Sequence, residues 1–471
     1  MPIVLYDTLT RRKREFQPVD KGCVKVYVCG PTVYAAPHIG NARPAVVFDV
    51  LVRLLRRTYG AEKVKYARNI TDVEDKILAA ALEADEQPEA ISQKYTNVYH
   101  EDMRALEVLP PDMEPKVTDN MDAILSMIKR LIDEGHAYEA EGHVLFDVTS
   151  YELYGALSKR NRKEMIAGAR VETAPYKRDP ADFVLWKPST SEQVGWESAW
   201  GRGRPGWHIE CSAMIKEHLG ETIDIHGGGI DLIFPHHENE CAQSFCAHGK
   251  PLANYWMHNG FINAGEDKMS KSLNNIITVN ELLRDGVPGE VVRFALLCAH
   301  YRKPFDWNDD LLVRSLYNLD RLYESVAHTR GLDAVADVDV NRADEEVVEA
   351  LEDDLNTPKA LQALMRLSKK ARNASVPERD HLGKVLVASG TLLGLLQSSH
   401  WEWINLGRRP DSSVASIASS IKELIIERNL ARDRGDYAEA DRIRDKLAEK
   451  GIIIEDRPEG SVWRHRRSGE I

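Results

Sequence analysis

The sequence predicts an α/β protein: a parallel-sheet domain with an insertion, then an α-helical bundle, then a small C-terminal α+β module. Three patterns predict it. Strand, helix and strand alternate between Lys25 and about Glu74, apolar residues recur at three- and four-residue spacing from about 311 to 400, and a helix pair with two short strands closes the chain. With 471 residues there is chain enough for two to four domains, each burying its own core.

The elements follow in order. Val24-Lys25-Val26-Tyr27-Val28-Cys29-Gly30 is an apolar run that reads as the first strand, and the helical stretch Val46 to Leu55 follows a loop. Lys63 to Ile70 is the second strand, and Thr71-Asp72-Val73-Glu74-Asp75 opens another helix with cap-type residues. A βαβ unit requires a crossover, so a Rossmann-type parallel sheet is expected. A helix from Thr96 to Glu107 ends at Pro110-Pro111. Residues 112 to about 200 read as an insertion, with a helix from Met121 to Glu134, a strand at His143 to Val148 and the basic stretch Lys159 to Lys163. Gly201 to Gly206 returns the chain to the sheet, followed by a helix from Ile209 to Leu219, a strand from Thr222 to His226, the turn Gly227-Gly228-Gly229 and a helix beginning at Pro235. The catalytic unit is thus expected over 1–310, its last segment spanning about 260–310. A helical bundle is expected over 311–405, with Leu312, Leu316, Leu319, Leu322, Ala360, Leu361, Leu364 and Leu367 on its inner faces. Leu406 to Ser413 reads as a linker. The module 414–471 begins with a helix carrying Ile417, Ile421, Leu424 and Ile425, continues with a helix to Lys450, and ends in strands 451–456 and 461–464.

Composition narrows the class. Hydrophobic content of 43% and charged content of 29% are ordinary for a globular protein, and a net charge of -12 excludes a protein that coats nucleic acid by bulk charge. A local basic groove over an acidic body remains compatible with an RNA partner. The six cysteines show no disulfide-scaffold spacing. The opening Met1 to Asp7 turns polar at once, unlike a signal peptide, and no apolar run approaches the roughly 20 residues of a membrane span. A reduced, cytoplasmic enzyme with metal-competent thiols is expected, with no membrane association.

Two distant segments carry the chemistry. Pro37-His38-Ile39-Gly40-Asn41 joins a strand to a helix, where free backbone N–H groups and the helix dipole favour anions. Lys268-Met269-Ser270-Lys271-Ser272 lies 230 residues downstream of His38 and offers cations to close on the same phosphates. A third constellation is thiol and imidazole. Cys29 ends the first strand, Cys211 starts a helix, and in Pro235-His236-His237-Glu238-Asn239-Glu240-Cys241 either His236 with Glu240 or His237 with Cys241 shares a helix face. Ligand preference alone favours His237 with Cys241, because thiolate is the better zinc donor, but spacing leaves both pairs open. Cys241 and Cys246 also stand beside this site, where oxidation sensitivity is expected.

Tyr27 to Tyr34, Gly206 to Met214, His226 to Leu232, Phe234 to Glu240 and Lys268 to Ser272 together resemble the cysteinyl-tRNA synthetase family, among the class I aminoacyl-tRNA synthetases, and the likeness runs in order along essentially the whole chain. The resemblance implies one zinc ion held by Cys29, Cys211, His236 and Glu240, overruling His237 with Cys241. It implies contact of Gly30, Thr71, Trp207 and Asp231 with the amino acid, and of both phosphate segments with ATP and its Mg2+. His38, Lys268 and Lys271 would be the catalytic groups. One departure is Asn41, which stands where that family usually ends its first motif in histidine; asparagine still donates a neutral hydrogen bond and caps a helix, so a modest effect is expected.

The implied reaction joins L-cysteine to tRNA(Cys) through a cysteinyl-adenylate. Displacement at phosphorus depends mostly on positioning and electrostatics, which suits a histidine loop facing a lysine loop. Zinc addresses selectivity: a hydrophobic pocket separates cysteine from serine by only about 10- to 200-fold, whereas a metal prefers thiolate to hydroxyl. Four protein donors make a closed set, so gripping a substrate sulfur requires Glu240 to loosen or a fifth position to open. The module 411–471 carries 12 Lys+Arg against 13 Asp+Glu, and its Trp463, Arg464, Arg466 and Arg467 suit anticodon bases and phosphates. A monomer is expected. Two rivals are a cysteine-activating amino-sugar ligase, which lacks the C-terminal module, and a catalytically silent tRNA-binding homologue, which has no need of intact His38, Lys268 and Lys271.

Overall fold

The computed structural model describes residues 2–161, 164, 174–264, 267–268, 276–327, 329, 338–405, 424–432, 434–449, 452–457 and 460–465, with backbone alone at 264, 267–268, 449, 452–453, 455–457 and 460–465. A hairpin of β1 (Val4–Asp7) and β2 (Arg12–Glu15) precedes the central unit. β3 (Val24–Val28) then leads through α1 (Ile39–Tyr59) to β4 (Val64–Arg68), and the two strands pair in parallel with Val26 opposite Tyr66. Gly60, at φ 98°, ends α1 in the left-handed region that glycine alone enters at no steric cost.

α1 starts at Ile39, seven residues before the apolar pattern suggests. Pro44 argues for a later start, but the helix carries it in its second turn, where little of the ladder is lost. α2 (Asp75–Ala84) begins later than Thr71: Glu74 caps it by accepting from the Lys76 N–H at 2.7 Å, while Thr71 stays extended and bridges Thr32. α3 (Pro88–Ala105) gains two turns over the expected helix because Pro88 occupies a first-turn position that prolines fit.

Residues after α3 form a separate layer. α4 (Met121–Asp133) packs near an antiparallel sheet of β5 (Ala137–Ala140), β6 (His143–Phe146), β7 (Phe183–Pro188) and β8 (Gly203–Pro205). The basic stretch Lys159 to Lys163 is described only through Asn161. α5 (Trp207–His218) leads to β9 (Ile223–Gly229), and α6 (Glu238–His248) to β10 (Ala253–Asn259). Helical backbone begins at Pro235, as expected: Ile233–His237 form a π-type turn interrupted only at Phe234, which is extended ahead of a cis peptide to Pro235, and the chain runs on into α6.

The parallel sheet runs β10-β9-β3-β4. Connections leave β3 toward one edge and β9 toward the other, so the order reverses between these two strands. Open α/β sheets bind ligands at such a switch point, beyond the strand C-termini. One apolar core lies on the face covered by α1 and continues into the helices Asp309–Val326, Glu345–Glu352, Thr357–Asn373 and Val376–Leu392. The eight residues expected on the bundle's inner faces are all buried. A second core on the opposite face joins Tyr27, Ile209, Met214 and Trp256 to the inserted layer.

A helix at 424–432, the helix Tyr437–Glu449 and a hairpin pairing Ile452–Arg457 with Gly460–His465 close the chain. Ile417 and Ile421 lie outside the described residues. Among the described residues no helix is long and apolar enough to cross a membrane.

Candidate active site

The switch point gathers the predicted residues. β3 ends at Val28, so Cys29 follows directly at its C-terminus, and its N–H donates to Gly227 O on β9 at 3.0 Å. Cys211 lies in the second turn of α5, and Glu240 in the first turn of α6. The Cys29 and Cys211 sulfurs are 3.6 Å apart, Cys29 Sγ is 3.7 Å from Glu240 Oε1, and that oxygen is 3.1 Å from His236 Nε2. All four donor atoms lie within 4.8 Å of one another.

A second overlapping group comprises Cys29, His226, His237 and Glu240. His226 Nε2 is 2.9 Å from Glu240 Oε2, and His237 Nε2 is 3.3 Å from Cys29 Sγ. Further imidazoles extend the cluster outward: His237 Nδ1 meets His258 Nε2 at 2.8 Å, and His208 Nδ1 meets His236 Nδ1 at 2.9 Å. Sequence reasoning gave His208, His226 and His258 no role. Spacing marks His226 only as a strand residue before three glycines, and its function becomes legible only with the β3–β9 register, which sets it opposite Tyr27.

Cys241 enters neither group, so the His237–Cys241 pair does not form. One residue along a helix rotates a side chain by about 100°, which carries Cys241 off the face of Glu240 into the second core. Burial and the nearby Glu238 push its thiol far above the ordinary range, and burial lifts Cys246 to about 12. Burial thus disfavours the thiolate form at both positions.

Burial disfavours charge on the cysteine and histidine donors. Burial raises Cys29 well above its usual value, helped by Cys211 and Glu240. The Cys29 contact pulls Cys211 down, but burial together with the carboxylates of Glu240 and Glu210 leaves it raised. Burial and neighbouring imidazoles hold His236 and His237 well below their ordinary range, and burial holds His208 and His258 at about 3. Neutral imidazoles present lone pairs, and a divalent ion reverses the cost of forming thiolates. Two thiols, an imidazole and a carboxylate, buried together, fit the donor chemistry of zinc.

Of the predicted amino-acid residues, Gly30, Thr71 and Trp207 lie beside this cluster. The Gly30 N–H donates to Asn69 Oδ1 at 2.9 Å, and Asn69 Nδ2 donates to Thr71 Oγ1 at 3.3 Å, so an asparagine that sequence reasoning passed over ties two of them together. Trp207 opens α5 with its ring stacked on His236 at 4.3 Å while remaining 38% exposed. Asp231 is exposed in the turn after β9.

His38 is the N-cap of α1, with Ile39, Gly40 and Asn41 in the first turn and Pro37 just before it. Asn41 Oδ1 accepts from the His38 N–H at 3.2 Å. Lys268 lies on a two-residue strand, Asp267–Lys268, that pairs with Ile262–Ala264; Met269, Ser270, Lys271 and Ser272 lie outside the described residues. Trp463 and Arg464 occupy the C-terminal hairpin opposite Ile454 and Ile453, whereas Arg466 and Arg467 fall outside the described residues.

Known proteins resemble this chain along its length. The model of a family described as "tRNA synthetases class I (C) catalytic domain" matches residues 15–316, with a DALR domain over 346–397 and a cysteinyl-tRNA ligase anticodon binding domain over 416–464. The cysteine–tRNA ligase of Parvibaculum lavamentivorans is 58% identical over 467 residues, covering 98% of each chain. This chain belongs to the cysteine–tRNA ligase family, within the class I aminoacyl-tRNA synthetases. Another member, from Maricaulis maris, is 54% identical over 98% of this chain and 99% of its own. A Mycobacterium tuberculosis methionyl-tRNA synthetase in complex with methionyl-adenylate has a similar fold, with a TM-score of 0.57 at 16% identity, covering 84% of this chain and 96% of that one. A leucyl enzyme of Agrobacterium radiobacter K84, solved with tRNA, gives 0.55 at 13% identity over 85% and 87%.

Proposed function

We propose that this chain joins L-cysteine to tRNA(Cys) at the expense of ATP, through a cysteinyl-adenylate. Cys29, Cys211, His236 and Glu240 would hold one zinc ion; of the two overlapping groups, this one offers two sulfur donors rather than one. The observation that carries the reading is that buried cluster at the sheet's switch point, on the strand whose following loop delivers His38 to the start of α1. The full-length relatives named cysteine–tRNA ligases support it, and the match to an anticodon binding domain disfavours an amino-sugar ligase, which has no use for one.

The chain's own groups divide the work. His38 and the backbone N–H groups near Gly40 hold the phosphates of Mg2+–ATP, with Lys268 and Lys271 closing from the other side. Gly30, Thr71, Trp207 and Asp231 orient the amino acid, the carboxylate of Asp231 suiting its ammonium. Zinc, when bound, favours a substrate thiolate over a hydroxyl. If Glu240 releases its inner oxygen, its outer one keeps a partner in His226, so the carboxylate can loosen without losing all support. Trp463, Arg464, Arg466 and Arg467 contact the anticodon arm, and the division 1–310, 311–405 and 414–471 separates activation from RNA recognition. A cytoplasmic monomer completes the reading.

ATP–pyrophosphate exchange tests it. Exchange that depends on cysteine, is negligible with serine, and loses that preference once the metal is stripped is the expected result, with tRNA charging alongside. Equal exchange with serine, or a cysteine preference that survives metal removal, refutes it.

A further inference from the structure

The segment that carries Lys268 is bound at both ends to the beginning of α1. Its exit is held by backbone: the Ile39 N–H donates to Ile277 O at 3.0 Å, the Val279 N–H to Pro37 O at 3.1 Å, and His38 bridges Thr278. Its entry is held by one side chain. Arg43, in the second turn of α1 and 0% exposed, donates from Nη1 to Gly260 O at 2.7 Å and Phe261 O at 2.8 Å. Its Nη2 donates to Lys303 O at 2.7 Å and His300 O at 3.2 Å, and the guanidinium lies 4.7 Å over the Phe305 ring.

Those four carbonyls belong to the two stretches that feed one small sheet. Gly260 and Phe261 precede the strand Ile262–Ala264, and His300 and Lys303 precede Phe305–Trp307, its parallel neighbour. On its other side Ile262–Ala264 pairs with Asp267–Lys268, setting Asn263 opposite Lys268. The two stretches approach so closely that a Cβ on Gly260 would lie 2.8 Å from the Lys303 carbonyl carbon. Among the described residues no carboxylate pairs with Arg43, so a full charge is buried against carbonyl dipoles and one aromatic face. An apolar side chain of similar volume would take this donor away from the Lys303 carbonyl, so the site calls for hydrogen bonds as well as volume. A planar fork that reads carbonyls from two chain segments at once is what arginine offers and lysine does not.

We propose that Arg43 is a positioning residue for the activation step, fixing the root of the Lys268-bearing sheet against the helix that begins at His38. The role rests on the adenylate-forming reading above. Displacement at phosphorus depends on where the cations stand, and displacing a catalytic group by about 1 Å costs on the order of 100-fold in rate.

The test is rapid-quench measurement of cysteinyl-adenylate formation in the zinc-loaded full chain, comparing wild type with Arg43→Gln and Arg43→Lys. Burst amplitude counts competent sites, and burst rate reports their placement. The expected result is an undiminished amplitude, a rate lower by about 10- to 100-fold in Arg43→Gln and less in Arg43→Lys, and a cysteine KM within about twofold of wild type. If Arg43→Gln is insoluble, Arg43→Lys carries the comparison, since it keeps the charge but loses the fork. A variant with normal rate, or with reduced amplitude and a normal rate in the remaining sites, overturns the role. A wild-type chain with no cysteine-dependent burst overturns both the adenylate-forming reading and the role built on it.

Discussion

His226 holds the outer oxygen of Glu240 at 2.9 Å, deep in the molecule, while the other oxygen of that carboxylate faces His236 and Cys29. His226 Nδ1 is in turn 3.2 Å from the Tyr27 carbonyl, so the ring is fixed by β3 on one side and presents Nε2 to the carboxylate on the other. A ligand-orienting contact of this kind is commonly worth 10- to 100-fold in metal affinity. His226→Ala is therefore expected to weaken zinc binding by about that factor, measured by chelator competition, while His258→Ala, one imidazole further out, has a smaller effect. Equal affinities in wild type and His226→Ala would remove His226 from any part in holding Glu240.

Gly30 poses a steric question with a sharp answer. A Cβ there would lie 1.7 Å from Asn69 O, a backbone atom held in the strand-to-loop turn after β4. Backbone cannot yield as a flexible side chain does, so Gly30→Ala is expected to cost about 3 kcal/mol or more. Because the Gly30 N–H and Thr71 Oγ1 share Asn69, the cysteine KM should rise in any protein that folds. Thermal melting and exchange kinetics check both, and a Gly30→Ala chain with unchanged melting temperature contradicts the packing.

The sheet and the bundle were legible because they rest on local periodicity. Leu312, Leu316 and Leu319 sit where a 3.6-residue repeat puts them, and the β3–α1–β4 crossover follows from two apolar runs with a helix between. The site was legible only in pieces. Cys29 and Cys211 stand 182 residues apart and meet through the sheet, which no spacing encodes. The choice between Glu240 and Cys241 turned on which face of the helix meets β3 and α5, and that comes from tertiary packing rather than from spacing. His226 and Asn69 escaped notice because their ties to Tyr27 and Gly30, on and just after another strand, are set by the sheet and not by spacing. Arg43 escaped because four backbone carbonyls leave no trace in composition.

A buried carboxylate makes stability depend on pH. Glu290 accepts from Tyr323 Oη at 2.7 Å and from the Leu396 N–H at 2.5 Å, and burial pushes its pKa from 4.5 up to about 7. The folded chain therefore keeps this proton over a range where the unfolded chain has released it. Linkage then makes its contribution fall as pH rises from about 4.5 to 7 and level off above, by on the order of 3 kcal/mol in all. Glu290→Gln preserves the shape without the titration. Urea denaturation should show the variant gaining on wild type between pH 5 and pH 8; an unchanged difference at the two pH values refutes the assignment.

Asn41 departs from the histidine usual at the end of the first motif, and its geometry indicates what it does instead. Its Oδ1 accepts the His38 N–H at 3.2 Å, reaching back from the third helical position to the cap residue, and its side chain is exposed. Replacement by alanine removes that bond and is expected to cost about 0.5–1 kcal/mol, a loss confined to the helix start. Restoring histidine should act differently, because an imidazole can carry the charge an amide lacks. Asn41→His is expected to change the rate of adenylate formation less than about tenfold, in the favourable direction at pH 6 and less so at pH 8, where a ring of ordinary pKa near 6.5 is neutral. If Asn41→Ala abolishes activation outright, asparagine here is an essential phosphate donor rather than a cap, and the phosphates depend less on His38 and the lysines than proposed.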